Sequence, residues 1–421
     1  MQELSKKVTE RSILVSAGDK EKQNGYDLFD PLEELKLLAE TAGAASVGTL
    51  IQHRTSIDSA YYIGKGKVLE LKEEVERLQA TSVIFNNDLS PAQVSNLQKI
   101  LNVKVIDRSG LILDIFAFRA RTREAKTQVE LAQLKYLLPR LTRQWTHLSR
   151  QVGGIGTRGP GETQLEVDRR SVRERITHLT KILKTISKRH DVSRKKRKDC
   201  FNIALVGYTN AGKSSLLNIL SGSDVPVEDK LFKTLDSITR VIKLNSCPGI
   251  LLSDTVGFIR NLPHDLIASF KSTLDEVREA DLLLHVVDIS NPEWEKQIEV
   301  VKNVLSELGS SGTDTLIVFN KIDVLENDLL IKALRSRFPS AVFVSAYKGT
   351  EIENLIDALK AAVMRNRFVC TMEFSPKDGK LISEIYRHGT IIETGESGDK
   401  VALTFSIPVP IAKKLGLYAK K

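Results

Sequence analysis

Cysteine is nearly missing from this chain of 421 residues: Cys200, Cys247 and Cys370 are far apart, odd in number and without a His or Cys at metal-ligand spacing. That excludes a disulfide framework and a Cys/His zinc site, and predicts three reduced thiols in a cytosolic redox setting. Long apolar runs are absent as well. Nowhere do about 18 apolar residues follow one another, and the opening MQELSKKVTERSILVSAGDKEKQNG is charged with no apolar h-region. Neither a membrane span nor an export signal is expected, and the protein is read as cytoplasmic. Acidic residues are scarce in one segment only. Residues 119–198 hold 22 Lys+Arg against 7 Asp+Glu, an excess of +15 in a chain whose net charge is +9, so the remainder is at −6. A single strongly basic segment is the footprint of a nucleic-acid contact.

What is present suggests about two to four domains, given the length and a normal 41% of hydrophobic residues. From about Leu32 to Arg119, β-rich runs (VGTLIQHR, TSVIFNN, VKVIDR) alternate with runs at helical spacing (KVLELKEEVERL, PAQVSNLQKIL), which predicts a small α/β unit with a parallel sheet. Ser90-Pro91-Ala92-Gln93 reads as a helix start, with Ser at N-cap, Pro at N1 and Gln at N3. This unit holds no catalytic constellation and no P-loop, so nothing in it points to ATP use. Its GKGK, Gly64 to Lys67, is read as a turn with solvated lysines before a helix.

The basic segment has a different rhythm. Leu131, Leu134, Leu138, Leu141, Trp145 and Leu148 repeat at heptad spacing, as do Leu165, Val172, Ile176, Leu179, Leu183 and Ile186, which predicts an antiparallel helical hairpin. Pro139 is expected to kink its first helix. Between the two lies GGIGTRGPG, in which Gly154, Gly156 and Gly159 spell G-x-G-x-x-G. A dinucleotide site needs a strand before those glycines. A basic helix stands there instead, so the stretch is read as the hairpin tip. Gly153, Gly154, Gly156, Arg158 and Gly159 then form either a thin cationic finger for RNA or a solvated connection. KRHDVSRKKRK, Lys188 to Lys198, is read as a charged linker able to add phosphate contacts.

The second glycine-rich stretch has the context that the first lacks. FNIALV, a buried-strand run, leads into GYTNAGKSS, Gly207 to Ser215, and then a helix. In this P-loop, Gly207 and Gly212 let the backbone amides of Tyr208, Thr209, Asn210 and Ala211 wrap phosphates. Lys213 reaches the outer phosphates and Ser214 offers its hydroxyl to Mg²⁺, with Ser215 following. At the end of a second apolar strand, Asp254 in D-T-V-G, with Thr255 and Val256, is placed to hold the metal through water, and Gly257 to give its amide to the γ-phosphate. Asn320, Lys321, Ile322 and Asp323 form N-K-x-D at another strand end. Its Asp accepts two guanine donors that adenine cannot present, which makes the nucleotide GTP or GDP. Ser345, Ala346 and Tyr347 are expected at guanine O6. Between these motifs, Phe232, Lys233, Thr234, Leu235 and Asp236 form the expected switch, Thr234 closing over metal and γ-phosphate with Thr239 in reserve. Lys213, Thr234 and Gly257 are the candidate catalytic groups.

Taken with YYIGKGKVLEL, FNNDLSPAQ, LLPRLTRQWTHLSRQVGGIGTRGPGETQLEVDRR, FKTLD and DTVGFIRNLPHDLI, these motifs make the sequence resemble the HflX-type ribosome-associated GTPases over most of its length. One departure is Ser237-Ile238, where the family usually writes the proline-containing DPTTR. The resemblance implies a G domain on an N-terminal HflX domain, a large ribosomal subunit as partner, a hairpin tip directed to rRNA near the peptidyl-transferase region, and ribosome splitting or rescue under stress. A GTP-gated RNA-binding or assembly scaffold without splitting activity is the alternative.

The expected architecture is α/β. A P-loop GTPase domain with a mostly parallel sheet, 201–366, is preceded by a small α/β domain, 1–119, a basic hairpin, 120–190, with its tip at 151–161, and a linker, 191–200. A small α+β domain, 367–421, follows. A monomer is expected. Phe258 stands where many GTPases place the Gln that orients the attacking water, which predicts slow intrinsic turnover. Asn210 occupies the place where hydrophobic-substituted GTPases of similar sequence help hold K⁺ beside the phosphates; an ordinary polar loop residue is the other reading.

Overall fold

The computed structural model describes residues 10–18, 32–54, 56–141, 164–195, 200–223, 231–232, 237–244, 247–260, 271–325, 328–375, 378–397 and 400–417. The chain divides into two units, 1–186 with 230–235 and 261–270, and the remaining residues.

In the first unit, strands β1 (Glu10–Gly18), β2 (Ala44–His53), β3 (Ser82–Phe85) and β4 (Lys104–Ile106) pair in parallel in the order β2-β1-β3-β4. Helices α1 (Glu33–Ala42), α2 (Lys65–Arg77), α3 (Pro91–Leu101) and α4 (Arg108–Arg119) connect and cover them. The chain reverses direction across the sheet at β1, its first strand. Sequence patterning does not reveal β1. Its apolar residues, Ile13 to Ala17, are buried but short and flanked by charge, so they carry no alternation. Ile13, Val15, Val83 and Phe85, two apart on their strands and so on one face of the sheet, pack with Leu71 of α2 and Leu97 of α3 into one core. The expected start of α3 is present in full: the Ser90 hydroxyl accepts from the Gln93 amide at 3.2 Å, and the Gln93 side chain accepts from the Ser90 amide at 2.9 Å.

Helix α5 (Arg123–Leu137) is followed by the 3-10 turn Leu138–Arg140, and α6 spans Gln164–Lys195. The two run antiparallel: Arg169 donates to the Leu141 carbonyl at 3.0 Å while Arg175 pairs with Glu130, further back along α5, at 2.7 Å. Two expectations change here. Pro139 ends the α-helical geometry at Leu137 rather than kinking it, because it has no amide to extend the ladder. Helix α6 continues to Lys195, into the segment read as a linker. Residues 142–163, which include the Gly-rich tip, lie outside the described residues. In this same unit Phe232 is buried edge-on against Phe116, ring centroids 4.6 Å apart.

The second unit is built on a six-stranded sheet in the order β10-β9-β8-β5-β7-β6. Its strands are β5 (Phe201–Gly207), β6 (Ile238–Leu244), β7 (Cys247–Asp254), β8 (Leu282–Asp288), β9 (Thr315–Asn320) and β10 (Val342–Phe343). All pairs are parallel except β6 with β7. Helices α7 (Lys213–Ser221), α8 (Lys271–Arg278), α9 (Trp294–Glu307), α10 (Asp328–Arg337) and α11 (Ile352–Arg365) complete it. One core joins Leu205, Leu216, Leu252, Leu284, Val318 and Leu355; another joins Val287, Ile298, Phe319 and Phe343. The sheet again reverses at its first strand, β5, the place where open parallel sheets bind ligands.

The chain ends in β11 (Arg367–Phe374), α12 (Gly379–His388), β12 (Thr390–Ser397), β13 (Lys400–Pro408) and α13 (Val409–Lys414). The strands form an antiparallel sheet in the order β11-β13-β12, so the small α+β domain expected of the tail is present. Leu403, Phe405 and Ile407 pack with Ile385 and Ala412 beneath it. Among the described residues no helix is long and apolar enough to cross a membrane, and Cys200 and Cys370 are free thiols.

Candidate nucleotide site

Segments following β5, β7, β9 and β10 meet beyond the carboxyl ends of those strands. The first is the glycine-rich loop after β5. Its turn closes at Gly212, whose φ of +93° and whose missing Cβ leave room for the Asn320 side-chain amide. Helix α7 then begins at Lys213, so the free amides of its first turn face the loop. Lys213 is buried. Its ammonium donates to the carbonyls of Gly207 (3.1 Å) and Tyr208 (2.7 Å), and burial lowers its pKa to about 8, with Asp254 opposing the shift. A buried cation resting on two backbone carbonyls is suited to an anionic group of a ligand.

The second loop follows β7. Asp254 is fully buried and accepts from the Ser214 hydroxyl at 2.6 Å. A hydroxyl and a carboxylate side by side, all oxygen donors, suit a hard divalent cation such as Mg²⁺. Thr255 and Val256 face inward: the Thr255 hydroxyl donates to the Leu205 carbonyl at 2.6 Å, tying β7 to β5. The loop is then stitched to the first one. The Thr209 amide donates to the Phe258 carbonyl (2.8 Å) and the Phe258 amide to the Gly207 carbonyl (3.1 Å). The Phe258 ring is buried, and the Arg260 amide donates to the Tyr208 hydroxyl at 2.9 Å. Gly257 is thereby pressed against the first loop. A Cβ there would lie 2.8 Å from Thr209 Cα and 3.0 Å from Lys213 Nζ.

The third set comes from β9 and β10. Asn320 is buried and acts as a clasp: its amide donates to the Ala211 carbonyl and its carbonyl oxygen accepts from the Ala346 amide, both at 2.9 Å. Lys321, in the left-handed region at φ +65°, pairs with Asp288 at 2.7 Å. The Ser345 hydroxyl donates to Asp323 at 2.5 Å and accepts from the Lys348 amide at 3.0 Å.

The structure therefore brings Gly207, Tyr208, Thr209, Ala211, Gly212, Lys213, Ser214, Asp254, Gly257, Asn320, Lys321, Asp323, Ser345 and Ala346 to one end of one sheet. Ser215 follows in α7 and Ile322 packs toward the second core. Asn210, at φ +62°, is exposed on the first loop. Tyr347 is 90% exposed. Phe232 belongs to the first unit, and Thr239 lies within β6, its hydroxyl 2.9 Å from that of Ser253. Lys233, Thr234, Leu235, Asp236, Gly153, Gly154, Gly156, Arg158 and Gly159 lie outside the described residues. Motif spacing does not disclose the Asp288 and Tyr208 contacts. Asp288 ends an apolar strand, a signal that the residues do carry; the Tyr208 hydroxyl bond depends on the fold alone.

In the first unit a cavity of about 560 Å³ lies along the edge strand β4, lined by Val94, Gln98, Asp114, Tyr136 and Leu137 among others. Burial raises the Asp114 carboxyl above its usual range.

Models of known families cover most of the chain. One described as GTP-binding GTPase N-terminal matches residues 30–117, one described as GTP-binding GTPase Middle Region matches 119–197, and one described as 50S ribosome-binding GTPase matches 202–321. The chain is 44% identical over 417 residues to the GTPase HflX of Caldanaerobacter subterraneus subsp. tengcongensis, covering 99% of this chain and 95% of that protein. It is 44% identical over 385 residues to the GTPase HflX of Escherichia coli strain K12, covering 90% of each. Among solved structures it is similar to a GTP-binding protein of Sulfolobus solfataricus in complex with GDP, at 28% identity and a TM-score of 0.45 over 85% of this chain and 99% of that one.

Proposed function

We propose, from the premise that this chain belongs to the HflX family of GTPases and hydrolyses GTP, that it binds the large ribosomal subunit and that its triphosphate state splits or rescues ribosomes, hydrolysis resetting the switch. The observation that carries the nucleotide part is the convergence of Lys213, Ser214, Asp254, Gly257 and Asp323 at the carboxyl end of one parallel sheet.

In this reading the loop amides from Tyr208 to Gly212 hold the α- and β-phosphates, and Lys213 exchanges its two carbonyl partners for the outer phosphates. Ser214 and Asp254 hold Mg²⁺, Asp254 through water. When bound, the metal neutralises charge that gathers on the phosphates during transfer. The Gly257 amide faces the γ-phosphate. Asp323, oriented by Ser345, accepts the two guanine donors, while Asn320 ties the phosphate loop to the Ala346 amide, which exchanges its Asn320 partner for guanine O6. Asn320 is thus a frame for the base site and not a reader of the base. Thr234 closes over metal and γ-phosphate, and Asn210 assists K⁺. Equal hydrolysis rates in K⁺ and Na⁺ at one ionic strength would remove the potassium role.

The ribosome part rests on the family description and on charge. The most basic stretch, 119–198, contains α5, α6 and the Gly-rich segment between them, which we assign to rRNA. The test mixes intact ribosomes with the protein and GTP, a non-hydrolysable analogue, GDP or no nucleotide, and reads subunit separation by sedimentation and light scattering. Separation with GTP and with the analogue, and none with GDP, is expected. Binding without separation in any condition would replace this reading with that of a GTP-gated scaffold.

A further inference from the structure

The Thr209 hydroxyl has no hydrogen-bond partner among the described residues, although the residue is only 7% exposed. A buried hydroxyl left unbonded costs free energy, and folded proteins keep such groups where something else completes them. Its surroundings say what that is. The residue is fixed by its own amide, bonded to the Phe258 carbonyl at 2.8 Å, and a Cβ on Gly257 would fall 2.9 Å from Thr209 Cγ2 and 3.0 Å from Lys213 Nζ. One small volume therefore contains the Thr209 side chain, the Gly257 backbone and the Lys213 ammonium. The last two are the groups assigned above to the terminal phosphate.

The residue after Gly257 is of no use there. Phe258 has no hydrogen-bonding side-chain atom, and its ring is 1% exposed. Among the described side chains that adjoin Gly257, Thr209 is uncharged and can both donate and accept.

We propose that Thr209 is a catalytic residue of the GTPase reaction: its oxygen accepts a hydrogen bond from the attacking water while its proton is donated to a γ-phosphate oxygen, which fixes the water in line. This rests on the reading that the loop holds GTP. In the step itself the water oxygen forms a bond to the γ-phosphorus as the bond from that phosphorus to the β–γ bridging oxygen breaks, the water proton passes to a γ-phosphate oxygen, and GDP and phosphate leave. Thr209 is unchanged at the end, and no further reactant is needed.

Thr209→Val keeps the shape and removes the hydroxyl; Thr209→Ser keeps the hydroxyl. Single-turnover GTP hydrolysis by the full chain, with and without large ribosomal subunits, is measured beside the Kd for GDP, for a non-hydrolysable GTP analogue and for GDP with aluminium fluoride, which mimics the phosphate in transfer. The Val variant is expected to hydrolyse at least about tenfold more slowly and to lose affinity for the fluoride complex by a similar factor. Its affinities for GDP and the analogue should stay within about twofold of the parent, and the Ser variant should recover most of the rate. A Val variant with the parental rate overturns the proposal. So does a Ser variant as slow as Val, since shape would then be what matters, and so does a parallel loss of GDP affinity in Val, which would make Thr209 a binding residue. Failure of the parent protein to bind either nucleotide would instead count against the site as a whole.

Discussion

Two parallel sheets in this chain follow the same winding rule and end differently. Each reverses at its first strand, β1 in one unit and β5 in the other, so each presents the strand-end crevice in which such sheets bind ligands. In the first unit the carboxylates there are met by donors and cations. Asp107, fully buried after β4, accepts from the Tyr136 hydroxyl (2.6 Å), Arg140 (2.7 Å) and the Gly110 amide (2.8 Å), and Asp88 accepts from the Ser109 hydroxyl at 2.5 Å. Arg108 is buried between Asn86 and Glu34, bonding to both. In the second unit the corresponding groups stop short of closure: Lys213 rests on carbonyls and the Thr209 hydroxyl bonds to nothing described. The lesson is that winding supplies the crevice, and whether its charged side chains pair with each other, as Arg108 with Glu34 and Arg140 with Asp107, or rest on backbone carbonyls, as Lys213 does, decides whether it is a joint or a site.

The largest expected effect attacks the open end. Lys213→Ala should weaken GDP and GTP binding by about 4 kcal/mol, roughly a thousandfold, in a fluorescence titration, with the unfolding of the first unit unchanged. Next comes the closed end. Asp107→Asn leaves Arg140 without its carboxylate in a buried place and should cost about 3 kcal/mol in urea denaturation, while nucleotide affinity stays at the parental value. If that substitution abolished GTP binding in a protein that remained folded, the contrast between the two ends would fail.

A smaller effect separates the two sheets by pH. His285, on β8, is 2% exposed, and burial holds its pKa down at about 4, with Lys302 and Lys213 adding to the shift. The folded state thus carries fewer protons than the unfolded one. The stability this residue permits is present above pH 6.5 and is lost as the pH falls toward 4, about 2 kcal/mol between pH 7 and pH 5. His285→Leu should flatten that part of the curve. Smallest is Ser90→Ala, which removes half of the reciprocal cap on α3 and should cost about 1 kcal/mol in the first unit only.

Much of this is legible in the amino-acid sequence alone. The cap at Ser90 and the loop at Gly207 to Ser214 are local patterns, so residue type and spacing carry them. What is not legible depends on distant partners. Asn320 reads as part of a guanine motif, yet its clasp joins Ala211, 109 residues away, to Ala346. The sequence likewise names Thr209 only as a loop position; that its hydroxyl is buried and has no partner among the described residues is a matter of the folded loop, which Phe258 stitches to the next one. Strand β1 escapes sequence patterning because its central place in the sheet is a tertiary fact, and its few apolar residues look like an interruption in a charged stretch. The end of the α-helix at Leu137 has its cause in plain view at Pro139, where the heptad spacing continues but the missing amide prevails over it.

That guanine is read at the carboxyl end of the second sheet is tested most directly by changing the reader. Asp323→Asn replaces the acceptor pair facing the two guanine donors, so binding of GTP and XTP, whose base carries a carbonyl in place of the exocyclic amine, is titrated against parent and variant. The account predicts that the parent prefers GTP and the variant XTP, each by roughly a hundredfold or more. A variant that keeps the parent's preference for GTP would contradict it.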